Sequence, residues 1–167
     1  NMIALWITLV LVNFFSSNIW IGMTIFTLCS LSFGPLLAIV MLEMDENDGF
    51  TALKIVFFVT LLTGFIGYGD FYSFSQNGIF GTTLCLSLFG LIVFHIARFV
   101  KDFSRNTIRA AAIFGSLLFS LFLLYDFNLI RMQELGSNDW GTAMRMAFIL
   151  YLDIINLLLE ILEAMGD

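Results

Sequence analysis

The first 42 residues contain no charged side chain, and this stretch limits the possible folds more than any other feature of the sequence. One membrane-crossing helix needs about 20 apolar residues, so the stretch is too long for one span and suits two. Over all 167 residues, only 12% are charged and 60% are hydrophobic. A soluble domain has about 25% charged residues. The sequence therefore predicts an integral membrane protein.

Apolar runs separated by short polar segments predict six membrane-crossing helices. Because alternating strand patterns are absent, the predicted fold class is an all-α polytopic transmembrane helix bundle. The predicted helices cover about 1–16, 18–42, 51–69, 78–100, 107–131 and 141–164. The first is short for a bilayer, as expected if its beginning is missing, and Gly34-Pro35 should bend the second. No linker is long enough to separate domains, so residues 1–167 are predicted to form a single transmembrane domain.

Lysine and arginine positions predict the orientation of this bundle. With six spans, five of the seven basic residues fall on the side that holds the loop after the fourth span and the C-terminus. These five are Lys54, Arg98, Lys101, Arg105 and Arg109, and the other two are Arg131 and Arg145. The positive-inside rule then predicts that the richer side is cytoplasmic. The seven basic residues form no stripe, so no nucleic-acid partner is expected.

Asp126 and Asp153 each lie inside a predicted span, on either side of the polar run 134–139. In an antiparallel helical hairpin, each would lie about 13 residues, or roughly 20 Å, from that turn. An aspartate at the centre of a span costs about 2.5–3.5 kcal/mol, so two at one depth indicate a function. Two close carboxylates should share a proton, and their oxygens suit Ca²⁺ in transit. The alternative interpretation is a purely structural buried pair.

Other polar groups extend this candidate site along the last helix. Asp153, Asn156 and Glu160 are spaced i, i+3 and i+7, which places them on one stripe that would face a water-filled path. Alternatively, Asn156 forms an interhelical hydrogen bond and Glu160 marks the exit of the helix into water. Tyr125 is a candidate for orienting Asp126 through its hydroxyl, although adjacent helical residues point about 100° apart.

The remaining chemistry-bearing residues are predicted to have structural roles. His95 is interpreted as an interfacial or packing side chain, and Glu163 as a marker of the helix exit into water. Cys29 and Cys85 lie in predicted spans without a CxxC motif and are interpreted as small apolar side chains. No resident metal and no cofactor is predicted.

Several segments resemble the signatures of one family, the Bax inhibitor-1 or transmembrane Bax inhibitor motif proteins. Residues 124–130 are similar to its "LYDTxxI" signature, and residues 150–157 are similar to "LYLDIINLF". Residues 31–38 resemble its "LSLSPLLA", and Asp70-Phe71 corresponds to its "RDF". In this register, the first predicted helix matches the second span of the family.

This resemblance implies a seven-helix fold and a pH-sensitive Ca²⁺ leak, with Asp126 and Asp153 as the pH sensor. It also implies a location in the endoplasmic reticulum or another internal membrane if the protein is eukaryotic, or in the inner membrane if it is bacterial. In eukaryotes and some viruses, the family is linked to suppression of cell death. The expected partners are the lipid bilayer, calcium and protons. The family can carry an arginine on its second helix that latches to the first aspartate, but no Lys or Arg precedes Lys54 here.

Two other function classes remain open at this stage. Residues 67–70 match the GxGD motif of intramembrane aspartyl proteases, and Tyr125-Asp126 matches their YD motif. The order of the two motifs is reversed and the PAL motif is missing, so we predict that the protein is not an enzyme. The other alternative is a non-conducting membrane scaffold or accessory subunit, which the missing latch arginine favours.

Overall fold

The computed structural model describes residues 19–42, 46–69, 72–134 and 140–166. These residues form five α-helices and one short 3₁₀ helix, and they contain no β-strand. The helices are α1 (Ile19–Leu42), α2 (Glu46–Tyr68), α3 (Gly78–Ala97), α4 (Arg105–Glu134) and α5 (Trp140–Met165), and the 3₁₀ helix is Phe74–Gln76. The predicted all-α fold class is confirmed, and the helix predicted over about 1–16 lies outside the described residues.

Within the described residues, four helices are long and apolar enough to cross a membrane. They are α1 to α4, over Trp20–Leu42, Asn47–Tyr68, Gly78–Ala97 and Arg105–Gln133. This finding agrees with a helical membrane bundle, although the described residues show four candidate spans where the sequence predicted six. The last helix, α5, is not among the four; it carries Asp153, Glu160 and Glu163 and buries much of its surface inside the bundle.

Local side chains explain where the helices begin. The Asn77 side chain accepts hydrogen bonds from the backbone N–H groups of Ile79 and Phe80, which caps the start of α3. The Ser104 hydroxyl accepts from the backbone N–H of Thr107, so α4 begins earlier than predicted. The helix α2 also begins before the predicted residue 51, and Asp48 in its first turn complements the helix dipole. Within α1, the helix continues through Pro35, where the sequence predicted a bend.

The core lies around α5, which packs against α1, α2 and α4 and is hydrogen-bonded to α3. The most extensive helix pair is α4 with α5. Leu118, Leu123, Leu157 and Leu162 are buried between these helices and their neighbours. Large apolar side chains on the outer faces of α1 to α4 remain exposed, including Phe57, Phe65, Leu86 and Phe89. A surface of this kind suits contact with lipid.

Candidate functional site

The α4–α5 hairpin brings Asp126 and Asp153 into direct contact. Both residues are buried, with 6% and 8% of their surface exposed, and their carboxyl groups are close enough to interact with each other. A second contact between these helices joins Gly115 to Glu160. Moving from 126 back to 115 on α4 thus corresponds to moving from 153 forward to 160 on α5. The two helices are therefore antiparallel, as the sequence predicted.

Buried apolar side chains lie next to the carboxyl pair on both helices. Among the described residues, no Lys, Arg or His side chain forms an ion pair with Asp126 or Asp153. One oxygen of the pair, Oδ2 of Asp153, is buried and has no hydrogen-bond partner in the part of the chain that the structure describes. Leu123, one turn before Asp126, and Leu157, one turn after Asp153, are almost fully buried. Two acidic groups thus meet in an apolar environment without a basic partner among these residues.

Asn128 fixes the connection between α2 and α3 onto α4, close to the carboxyl pair. It is fully buried, and its Oδ1 accepts hydrogen bonds from the backbone N–H of Ser75 at 2.9 Å and from the Ser75 hydroxyl at 2.8 Å. Its Nδ2 donates to the backbone oxygens of Gly67 at 3.0 Å and Tyr72 at 3.1 Å. These four bonds use the donors and acceptor lone pairs of the amide. Sequence reasoning missed this role, although an amide within an apolar helix was a signal for it.

Gly67 allows α2 to approach the backbone of α4 at this point. A Cβ atom at residue 67 would lie 2.5 Å from the backbone oxygen of Leu124 and 2.9 Å from Cβ of Phe127. Close approach at small residues is typical of helix packing in membranes. Just beyond α2, the Arg131 guanidinium donates to the backbone oxygen of Gly69 at 2.6 Å. The end of α2 is therefore fixed to α4 by both packing and hydrogen bonds.

Tyr125 points toward α3, whereas Asp126 points toward α5. The Tyr125 ring centroid lies 6.2 Å from that of Phe80, and a Cβ at Gly81 would lie 3.3 Å from the Tyr125 hydroxyl. Different helix faces account for this divergence. The expected supporting role of Tyr125 at the carboxyl pair stays a prediction.

The two segments that resemble family signatures on α1 and α5 contact each other. The Ser30 hydroxyl donates to the Tyr151 hydroxyl at 3.3 Å. The Tyr151 ring also makes edge contacts with Phe26 and Phe33, at centroid distances of 5.4 and 6.4 Å. Tyr151 thereby joins α1 to the turn of α5 that carries Asp153.

The polar stripe of α5 continues from the carboxyl pair toward α3. Asn156 is half-buried, and Glu160 is 8% exposed, so Glu160 does not emerge into solvent as the alternative interpretation held. Glu160 Oε1 lies 3.2 Å from Nε2 of His95, and Arg98 donates to Oε1 of Glu163 at 2.5 Å. The interpretations of His95 as a packing side chain and of Glu163 as a marker of the helix exit missed these pairings.

Some sequence predictions fall outside the described part of the chain. Asp70 and Phe71 lie there, so the match to "RDF" and the acidic residue of the GxGD motif have no structural description. In the described part, Cys85 is a free and exposed thiol.

Comparison with known proteins gives one finding that covers almost the whole chain. The family model described as "Inhibitor of apoptosis-promoting Bax1" matches residues 2–167. A search of curated proteins gives no match. The matched range includes both segments that meet at the carboxyl pair.

Proposed function

Because the chain belongs to the Bax inhibitor-1 family, we propose that it is a pH-sensitive cation leak channel in which Asp126 and Asp153 form the pH-sensitive gate. The permeant ion in this proposal is Ca²⁺, and the host is an internal membrane of a eukaryote or a bacterial inner membrane. Regulation of cell death is the physiological role that such a leak would serve. In this proposal calcium is the transported ion, protons control the gate, and no cofactor is needed.

One observation carries this proposal: the two buried carboxyl groups contact each other without a basic partner among the described residues. A proton shared between them permits the hydrogen bond. When that proton leaves, two like charges about 4 Å apart repel by about 4 kcal/mol at an effective dielectric constant of about 20. An energy of this size changes a conformational equilibrium by about a thousandfold. The pair can therefore act as a proton-dependent contact between α4 and α5.

The same groups can interact with a passing cation. Carboxylate oxygens are preferred ligands of Ca²⁺. Oδ2 of Asp153 has no hydrogen-bond partner among the described residues and is available for such an interaction. Further along α5, Asn156 and Glu160 supply amide and carboxylate groups on the same stripe. These groups are the proposed supporting residues of the ion path.

Calcium flux into proteoliposomes at several pH values tests the proposal. We expect the wild-type flux to depend on pH and expect this dependence to be lost in Asp126→Asn and Asp153→Asn, because neither variant can form the charged pair. Asp102→Asn is the matched control, since it removes an exposed carboxyl group outside the bundle and should retain the wild-type profile. A wild-type flux that does not vary with pH and is unchanged by Asp153→Asn would refute the channel and favour the non-conducting scaffold.

A further inference from the structure

A second polar cluster joins α3 to α5 at a different level from the carboxyl pair. It contains His95 from α3 together with Glu160 and Glu163 from α5. One nitrogen or oxygen atom from each of these residues lies within 4.8 Å of the others. The proposed pH gate does not require this cluster, because Glu160 is seven residues, or about 10 Å along the helix axis, from Asp153.

Only one of the two carboxyl oxygens of Glu160 interacts with His95. Its Oε1 is 3.2 Å from the His95 imidazole, but its Oε2 is buried and has no hydrogen-bond partner within residues 19–42, 46–69, 72–134 and 140–166. Gly115 on α4 provides the space for this group, since a Cβ there would lie 2.5 Å from Oε2 and from Cδ of Glu160. A buried acceptor without a partner is unfavourable by about 1–3 kcal/mol. The absence of a side chain at Gly115 thus makes room for a carboxylate that has one oxygen available to bind a ligand.

We propose that His95, Glu160 and Glu163 form a binding site for a divalent transition-metal ion of the Zn²⁺ type. Imidazole nitrogen with carboxylate oxygen suits such an ion, whereas Ca²⁺ prefers oxygen ligands alone. In a tetrahedral site with metal–ligand bonds of roughly 2.1 Å, ligand atoms lie about 3.4 Å apart. The 3.2 Å distance between His95 Nε2 and Glu160 Oε1 is close to this value. Glu163 is one helical turn away and has a ligand atom within 4.8 Å of those of the other two residues, so in this proposal it turns toward them as the third protein ligand, and water takes the fourth position.

Arg98 acts against the metal in this site. Its guanidinium donates to Oε1 of Glu163 at 2.5 Å, and Arg105 fixes the same residue through its backbone oxygen at 3.2 Å. Without a metal, Arg98 neutralises one of the two carboxylates. When a divalent ion binds, Arg98 must share Glu163 with it or release it. Removal of Arg98 should therefore strengthen metal binding, the opposite of the effect of removing a ligand.

Zn²⁺ titration of the purified chain tests this site. His95 is the sole histidine of the sequence, so a chain prepared with a histidine-free affinity tag gives one imidazole signal in ¹⁵N NMR. Cys29→Ser and Cys85→Ser in the parent chain remove competing thiols. We expect one equivalent of Zn²⁺ to shift the imidazole signal, and Glu160→Gln and Glu163→Gln to weaken binding at least about tenfold, or 1.4 kcal/mol. Arg98→Gln should tighten binding.

Asp102→Asn is the control, because it removes an exposed carboxylate close to the same end of α3 and should leave the affinity unchanged. Thermal unfolding separates loss of the site from loss of the fold. Zn²⁺ should raise the unfolding temperature of the parent chain but not that of Glu160→Gln, and the two chains should unfold at similar temperatures without metal. An unshifted imidazole signal, or equal Zn²⁺ affinity in the parent and Glu160→Gln, would overturn the proposal. This measurement uses no ion gradient, so its result is independent of the leak test.

Discussion

Replacement of Asn128 by alanine should strongly destabilise the protein. The substitution removes four hydrogen bonds from a fully buried side chain and leaves polar groups of Gly67, Tyr72 and Ser75 without this partner. Each bond contributes about 0.6 kcal/mol by membrane-protein measurements and up to about 1.5 kcal/mol by those on soluble proteins. The expected loss in the free energy of unfolding is therefore about 2–6 kcal/mol. For a chain of this size, such a loss lowers the unfolding temperature by roughly 5–20 °C.

Thermal or denaturant unfolding in one detergent, followed by circular dichroism, measures this loss. Asn106→Ala is the matched control, because Asn106 lies on the same helix but is exposed, and its replacement should change the free energy of unfolding by less than about 0.5 kcal/mol. Hydrogen exchange adds a local measurement. The backbone N–H of Ser75 donates a hydrogen bond to Asn128 in the wild type, so its hydrogen should exchange faster with solvent in Asn128→Ala. If both variants were equally stable, the argument that Asn128 fixes the α2–α3 connection would be wrong.

Three further substitutions have effects that can be derived from the structure. Gly67→Ala should lower the free energy of unfolding by about 1–3 kcal/mol, because the new Cβ would lie 2.5 Å from a backbone oxygen. Gly90→Ala is the control and should cause no loss in the same unfolding assay, since its new Cβ would meet no described atom within 4 Å. Arg98→Ala should change stability by no more than about 1 kcal/mol, since its ion pair is about 30% exposed, and a larger loss in the same assay would contradict this estimate. Tyr151→Phe removes the 3.3 Å hydrogen bond with Ser30. A double-mutant cycle between positions 30 and 151 should give a coupling energy of about 0.6 kcal/mol. A coupling energy near zero would show that the aromatic contacts alone join α1 to α5.

The part of the fold that follows from hydrophobic runs could be predicted from the sequence. Long uncharged segments define helices in a membrane protein because backbone polar groups must be satisfied within the segment. Helix ends were predicted less well, since they depend on capping side chains. Ser104 caps α4 earlier than the predicted start at 107, and α2 includes part of the polar segment that was expected to be a linker.

The contact between Asp126 and Asp153 could be anticipated because hairpin geometry links depth to distance from the turn. The pairing of His95 with Glu160 could not, because it joins residues 65 positions apart on helices that are not consecutive. The spacing of residues in the sequence shows which side chains are neighbours on one helix. It does not show which face of a second helix packs against them. For the same reason Asn128 was not recognised as the group that holds Tyr72 and Ser75.

The polar residues of α5 help to explain why this helix is buried while α1 to α4 present apolar side chains outward. A carboxyl group facing lipid would cost several kcal/mol, so α5 is most stable where other helices offer partners. Asp126 on α4 meets Asp153, His95 on α3 pairs with Glu160, and Arg98, just after the end of α3, pairs with Glu163. With apolar residues at these positions, α5 could face lipid without the cost of exposing a carboxyl group. The acidic groups proposed to bind protons and cations therefore also determine how the helices assemble, so conservative Asp→Asn and Glu→Gln changes test function better than truncations to alanine do.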